Sequence, residues 1–143
     1  MAFGRGVGSA DRGQIEDVVR EFNWLLDHGI AEGFAEIFTE TGTFTAGGKT
    51  RSGRQELTEF ADARVGEPKV SRTIHGSHRL HAVSEDEISG ELDYVLYMGP
   101  LEGDRPAEAT AVGSYLDTYR REGGVWRIQT RESRQVFTRP KQS

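Results

Sequence analysis

The sequence predicts one α+β domain in which three N-terminal helices pack inside a strongly curved, mostly antiparallel sheet. Apolar residues recur at helical spacing in the first half, and four runs of strand length, 70–83, 88–98, 110–121 and 125–138, fill the second. "SEDE" and "REGG" separate two pairs of runs as hairpin turns, while "GPLEGDRPAEA" makes a longer connection at a rim. Helices followed by sequential antiparallel strands define the α+β class. A strongly twisted sheet coils around helices and can leave a pocket at its open end.

The first helix rests on Ile15, Val18, Val19, Phe22, Leu25 and Leu26, with Ser9 or Asp11 as candidate N-caps. At about 100° per residue the apolar stripe centres on Phe22 and Leu26, Asn23 lies at its edge, and Asp27 lies just beyond. An Asp there faces the negative end of the helix dipole, which costs a few tenths of a kcal/mol and asks for an explanation. A short second helix over 31–38 carries Phe34, Ile37 and Phe38. "TETGTFTAGGKTRSG" then reads as strand, turn and strand. A third helix over 53–65 uses Leu57, Phe60 and Ala61.

The chain of 143 residues, 35% hydrophobic and 29% charged, has room for a single core. Residues 1–9 read as a flexible Gly-rich arm, 10–138 as the domain and 139–143 as a tail. A net charge of -5 gives no basic field for nucleic acid. Arg127, Arg131, Arg134, Arg139 and Lys141 then read as a solvated strand edge and tail. No apolar run reaches the length of a membrane span, and the start lacks a secretory hydrophobic stretch, so a cytoplasmic location without membrane contact is expected. The chain has no cysteine, which removes thiol nucleophiles and cysteine metal sites. His75, His78 and His81 invite a metal reading, but residues three apart on a regular strand point to opposite faces, so no metal site is expected. Gly4, Gly6 and Gly8 lack the strand and βαβ context of a nucleotide loop.

At "FNWLLDHGIAEGFAEIFTETGTF", "RTIHGSHRLHAVSEDEISGELDYVLY" and "GSYLDTYRREGGVWRIQTRESRQVF" the chain resembles the SnoaL-like branch of the nuclear transport factor 2-like superfamily, from about residue 10 to 138. The resemblance implies a cone-shaped α+β barrel around an apolar cavity, and a homodimer or homotrimer. Within the branch, the residues are most similar to hexachlorocyclohexane dehydrochlorinase and to scytalone and bile-acid dehydratases. It implies that Asp27 orients His75, that His75 removes a substrate proton, and that Arg131 faces the developing anion. Five residues before the Asp, where those enzymes carry Lys or Tyr, this chain has Phe22. A polar group that would assist a leaving halide or polarise a carbonyl is thereby absent.

The chemistry suits those residue types. A neutral imidazole is a competent base because its free pKa is about 6.5, and a carboxylate on its other nitrogen would fix the tautomer and steady the imidazolium. An arginine donates in a fork and stays charged. Elimination or proton-shift chemistry needs no cofactor. Simple alternation would nevertheless turn His75 outward with Ser77, Arg79 and His81, so a bulge near Gly76 is expected. Arg131, grouped by parity with Arg127 and Gln129, needs a similar shift.

The leading expectation is therefore a cofactor-independent lyase or isomerase acting on a hydrophobic, cyclic small molecule, with Phe22, Trp24, Phe38, Phe44, Phe60, Tyr97 and Tyr115 divided between core and cavity wall. One rival is a non-catalytic binding or assembly domain, favoured if rings fill the cavity or if Asp27 and His75 do not meet. Another is a polyketide cyclase or epoxide hydrolase, favoured if Asp93 or Asp117 projects inward opposite Arg131.

Overall fold

The computed structural model describes residues 3–140. Helix α1 (Ser9–Asp27) leads into a single 3-10 turn (Ala35–Ile37). Strands β1 (Phe38–Ala46) and β2 (Lys49–Ser52), helix α2 (Gly53–Val65), and strands β3 (Lys69–Ser84), β4 (Glu87–Pro100), β5 (Ala111–Glu122) and β6 (Val125–Thr138) follow. They form one six-stranded sheet in the order β2-β1-β6-β5-β4-β3. All neighbours are antiparallel except β1 and β6, which the α2–β5 excursion makes parallel.

The expected helix over 31–38 is corrected to the three-residue turn. Gly29 and Gly33 take φ of 72° and 85°, outside helical backbone, and Phe38 is already extended at φ -96°. Two helices and a turn therefore replace three helices. Neither proposed N-cap caps α1: Gly8 holds that position, and Asp11 instead accepts a hydrogen bond from Trp126 Nε1 at 3.0 Å. In the arm, Arg5 O accepts from Ala82 N at 3.1 Å, and Val7 packs on the core. Of the tail, residues 141–143 lie outside the described residues. No described helix is long and apolar enough to cross a membrane.

Alternation on the strands buries one face of the sheet against α1. Ile15, Val19, Phe22 and Leu26 of the helix share a core with Phe34, Phe38, Leu57, Leu80, Leu92, Tyr119, Trp126 and Ile128. Rings fill its centre. Phe22 lies 5.2 Å from Phe34, 5.3 Å from Phe44 and 5.8 Å from Tyr115 between centroids, mostly in the tilted and edge-on geometries aromatic quadrupoles favour.

Candidate functional site: a groove between the first helix and an edge strand

Two bulges decide what faces the interior. On β3, Gly76 pairs with Asp93 and Arg79 with Glu91, so Ser77 and His78 oppose Leu92 alone. Ser77 takes φ 55° to absorb the extra residue. Before the bulge Ser71, Thr73 and His75 turn inward; after it His78, Leu80 and Ala82 do. His75 thus reaches the concave side as parity with a bulge requires. The same extra residue corrects the expectation for His78, which shares His75's face, while His81 is exposed. On β6, Thr130 pairs with Thr118 and Ile128 with Tyr119, leaving Gln129 extra and turning Arg131 inward behind Ile128.

A groove of about 540 Å³ runs between the end of α1 and the free edge of β3, lined by Asn23, Trp24, Asp27, Arg72, Ile74 and His75 among others. Asp27 and His75 both contribute to it, but the expected hydrogen bond between them is replaced by other contacts. The Asp27 carboxylate accepts from Ser71 Oγ at 2.7 Å, Thr73 N at 2.8 Å and Thr73 Oγ1 at 3.3 Å. Arg72 Nη1 donates to the Asp27 backbone oxygen at 3.1 Å. The awkward Asp at the helix end thus ties α1 to β3, and three donors offset its dipole mismatch.

The imidazole of His75 meets the residue one helical turn earlier: Nε2 lies 2.6 Å from Asn23 Oδ1, and Asn23 Nδ2 donates to Tyr115 Oη at 3.3 Å. Burial, with help from the Arg131 and His78 charges and against those of Asp27 and Asp117, lowers the His75 pKa to about 4. The ring is neutral at pH 7. Its Nε2 faces an amide oxygen, a group that can only accept.

Arg131 lies behind the groove and does not line it. Its guanidinium sits 4.5 Å from the Phe22 centroid and 4.0 Å from that of Tyr115, and it donates to Asp117 through Nε at 2.9 Å and Nη2 at 2.7 Å. Burial opposes its charge, but Asp117 outweighs this and holds it above its ordinary pKa. Nη1 is the one buried side-chain polar atom without a partner among the described residues. Tyr119 Oη donates to Asp117 Oδ2 at 2.5 Å, and His78 Nε2 lies 3.3 Å from that hydroxyl. Burial, then Asp117, raises the Tyr119 pKa, and burial lowers that of His78. Asp117 projects inward opposite Arg131, the position the cyclase or epoxide hydrolase reading asks for, but Tyr119 and Arg131 engage both of its oxygens and it does not line the α1–β3 groove. Asp93 is exposed and accepts from Ser114 Oγ at 2.8 Å.

The seven aromatic candidates separate. Phe22, Phe38, Phe44 and Tyr115 are buried in the core, so they do not wall an open cavity. Phe60 packs at its edge under Arg51. Trp24, 56% exposed, lines the groove and stacks on His28 at 3.8 Å between centroids. Tyr97 lines a separate hollow of about 450 Å³ beside the 101–110 connection. Asn23 is the site residue that sequence reasoning left without a role. Its signal was a polar side chain at the edge of an apolar stripe, one turn before Asp27.

Several solved structures share this fold. A putative scytalone dehydratase from Novosphingobium aromaticivorans DSM 12444 is 20% identical, covering 94% of this chain and 89% of its own, with TM-score 0.80. A hexachlorocyclohexane dehydrochlorinase (LinA type 2) is 21% identical over 90% of this chain and 86% of its own, with TM-score 0.78. Rv3472, a protein of unknown function from Mycobacterium tuberculosis, is 25% identical over 90% of this chain and 77% of its own, with TM-score 0.77. No curated protein matches the chain by sequence. The family profile described as SnoaL-like domain matches residues 8–132, and the chain belongs to that family.

Proposed function

We propose that the protein is a cofactor-independent lyase or isomerase that removes a proton from a hydrophobic, cyclic small molecule held in the α1–β3 groove. The observation that carries this reading is His75: a neutral imidazole on the groove wall whose Nε2 is committed to Asn23, leaving Nδ1 to accept a proton. Trp24 and Ile74, both more than half exposed, offer the apolar surface against which a ring would lie. As the C–H bond breaks, the proton passes to Nδ1 and the electron pair forms the new double bond. In elimination the leaving group on the adjacent carbon departs with its bonding pair, a hydroxyl taking a proton from solvent, and Nδ1 then gives its proton to solvent; in isomerisation the double bond shifts and Nδ1 returns the proton to the far carbon. The Asp27 carboxylate favours the imidazolium through space rather than by direct contact. Arg131, sequestered by Asp117, acts on the site through its field. The names of two structural relatives, a putative dehydratase and a dehydrochlorinase, accord with elimination chemistry. Assembly as a homodimer or homotrimer, implied by the family, would give cover to Val136 and Phe137, which stand exposed near the end of β6.

A non-catalytic binding domain is the second reading. It is favoured by the ring-filled interior and by the missing Asp27–His75 contact. Deuterium exchange separates the two. The protein is incubated in D₂O with a panel of cyclic ketones and β-hydroxy ketones, and carbon-bound deuterium and product are followed by mass spectrometry. Enzyme-dependent exchange that His75→Gln reduces by 10²-fold or more supports proton transfer, on the scale general bases contribute. Binding of panel members with exchange equal in wild type and variant establishes the binding domain instead.

A further inference from the structure

We propose that Asn23 is a positioning residue that, anchored by Tyr115, fixes the Nε2–H tautomer of His75 and so makes Nδ1 the proton-accepting atom. The assignment deepens the reading of His75 as the base and rests on it. Asn23 is only 7% exposed, and a buried amide must have partners for both its halves. It finds them on two different elements: Oδ1 faces His75 of β3 at 2.6 Å, and Nδ2 faces Tyr115 of β5 at 3.3 Å.

The anchor is rigid. Tyr115 is stacked on Tyr94 at 4.6 Å, meets the Phe22 ring edge-on at 5.8 Å, and carries the Arg131 guanidinium over its face at 4.0 Å. Its hydroxyl therefore cannot swing to follow the amide. A carbonyl oxygen only accepts, so the nitrogen facing it must hold the proton. The choice of an amide rather than a carboxylate also has a chemical consequence. It orients the ring without supplying charge to steady an imidazolium in contact, so the base stays deprotonated at acidic pH. Asn23 and Asp27, one helical turn apart on α1, divide two tasks: the amide aims the imidazole, and the carboxylate pins the strand that bears it.

The test is a long-range ¹⁵N–¹H correlation on histidine-labelled protein, which distinguishes Nδ1 from Nε2 protonation without any substrate. Wild-type His75 is expected to appear as a single Nε2–H tautomer. Asn23→Leu, folded by circular dichroism, should relax it to a mixture. Asn23→Asp, which keeps the shape, should retain the Nε2–H tautomer and raise the His75 titration midpoint by at least one pH unit. In the deuterium-exchange assay the acid limb of the rate profile should move upward with it. An Nδ1–H tautomer in wild type, a single Nε2–H tautomer retained in folded Asn23→Leu, or a midpoint in Asn23→Asp equal to that of wild type overturns the assignment. A single Nε2–H tautomer in wild type that relaxes in Asn23→Leu, together with the Asn23→Asp shift, upholds the positioning role even if no panel compound exchanges, so failure of the catalytic reading is told apart from failure of this one.

Discussion

Asp117 and Arg131 meet through two hydrogen bonds, of 2.9 and 2.7 Å, one to each carboxylate oxygen, with both side chains sealed from solvent. Tyr119 completes the carboxylate, and the Phe22 and Tyr115 rings enclose the guanidinium. Removing one partner of such a pair strands a buried charge, which typically costs about 3–5 kcal/mol. Asp117→Asn is therefore expected to lower the unfolding free energy by about that much, read from urea denaturation. Arg131→Met combined with Asp117→Leu should recover most of the loss, because the pair's desolvation cost disappears with it. A loss for Asp117→Asn below about 1 kcal/mol would mean that water reaches the pair.

Much of this arrangement was legible in the sequence where periodicity is two. The runs 70–83, 88–98, 110–121 and 125–138 fall within two residues of β3 to β6, because alternation and polar turns specify strands directly. The conflict between His75 and the parity of its strand even pointed to the bulge. What regular alternation misses is the effect of the extra residue on the pair: it brings His75 to the face that His78 already shares with Leu80, although residues three apart on a regular strand would point to opposite faces. The 31–38 helix failed for another reason: the helical spacing of Phe34, Ile37 and Phe38 says nothing against Gly29 and Gly33 breaking the backbone before them, or against Phe38 already being extended. Whether aromatics line a cavity or fill it depends on rotamers, and here Phe22, Phe34, Phe38 and Phe44 fill it. The Asn23–His75 contact spans 52 residues and has no local pattern at all.

Asp27 holds β3 through Ser71 and Thr73, and hydrogen bonds to a charged acceptor contribute about 1.5–3 kcal/mol each before the cost of ordering. Asp27→Ala should destabilise the fold by about 1–3 kcal/mol and speed amide hydrogen exchange at Thr73, whose N–H loses its 2.8 Å acceptor. A residue serving only to orient His75 would leave both readings near wild type. Native-state exchange measured by NMR decides between these roles.

His75 should make stability fall on acidification. Its folded pKa of about 4 lies below the unfolded value near 6.5, so between those limits the unfolded chain binds more protons. The contribution is fully present above pH 6.5 and is lost progressively as pH falls through about 4. Because the ring is partly exposed, solvent screening reduces the effect to the order of 1–2 kcal/mol. His78, also lowered by burial, acts in the same direction. Urea midpoints compared at pH 7 and pH 5 should show a smaller acid-induced drop in His75→Gln than in wild type. Equal drops would place the responsible group elsewhere.

Ser77 sits at φ 55°, a left-handed conformation that costs an ordinary L-residue about 1 kcal/mol and that glycine adopts freely. Its side chain is exposed, so nothing in the core depends on it. Ser77→Gly should therefore stabilise the protein by a few tenths of a kcal/mol to about 1 kcal/mol, the gain being offset in part by the entropy of a more flexible unfolded chain. Ser77→Val, whose branched side chain resists the left-handed region, should cost more than 1 kcal/mol and perturb the imidazole resonances of both His75 and His78, since the bulge is what brings them to one face. Denaturation midpoints together with the histidine ring spectra test both arms. A Val variant as stable as wild type, with unchanged ring signals, would show that the inward turn of the two histidines does not depend on this backbone irregularity.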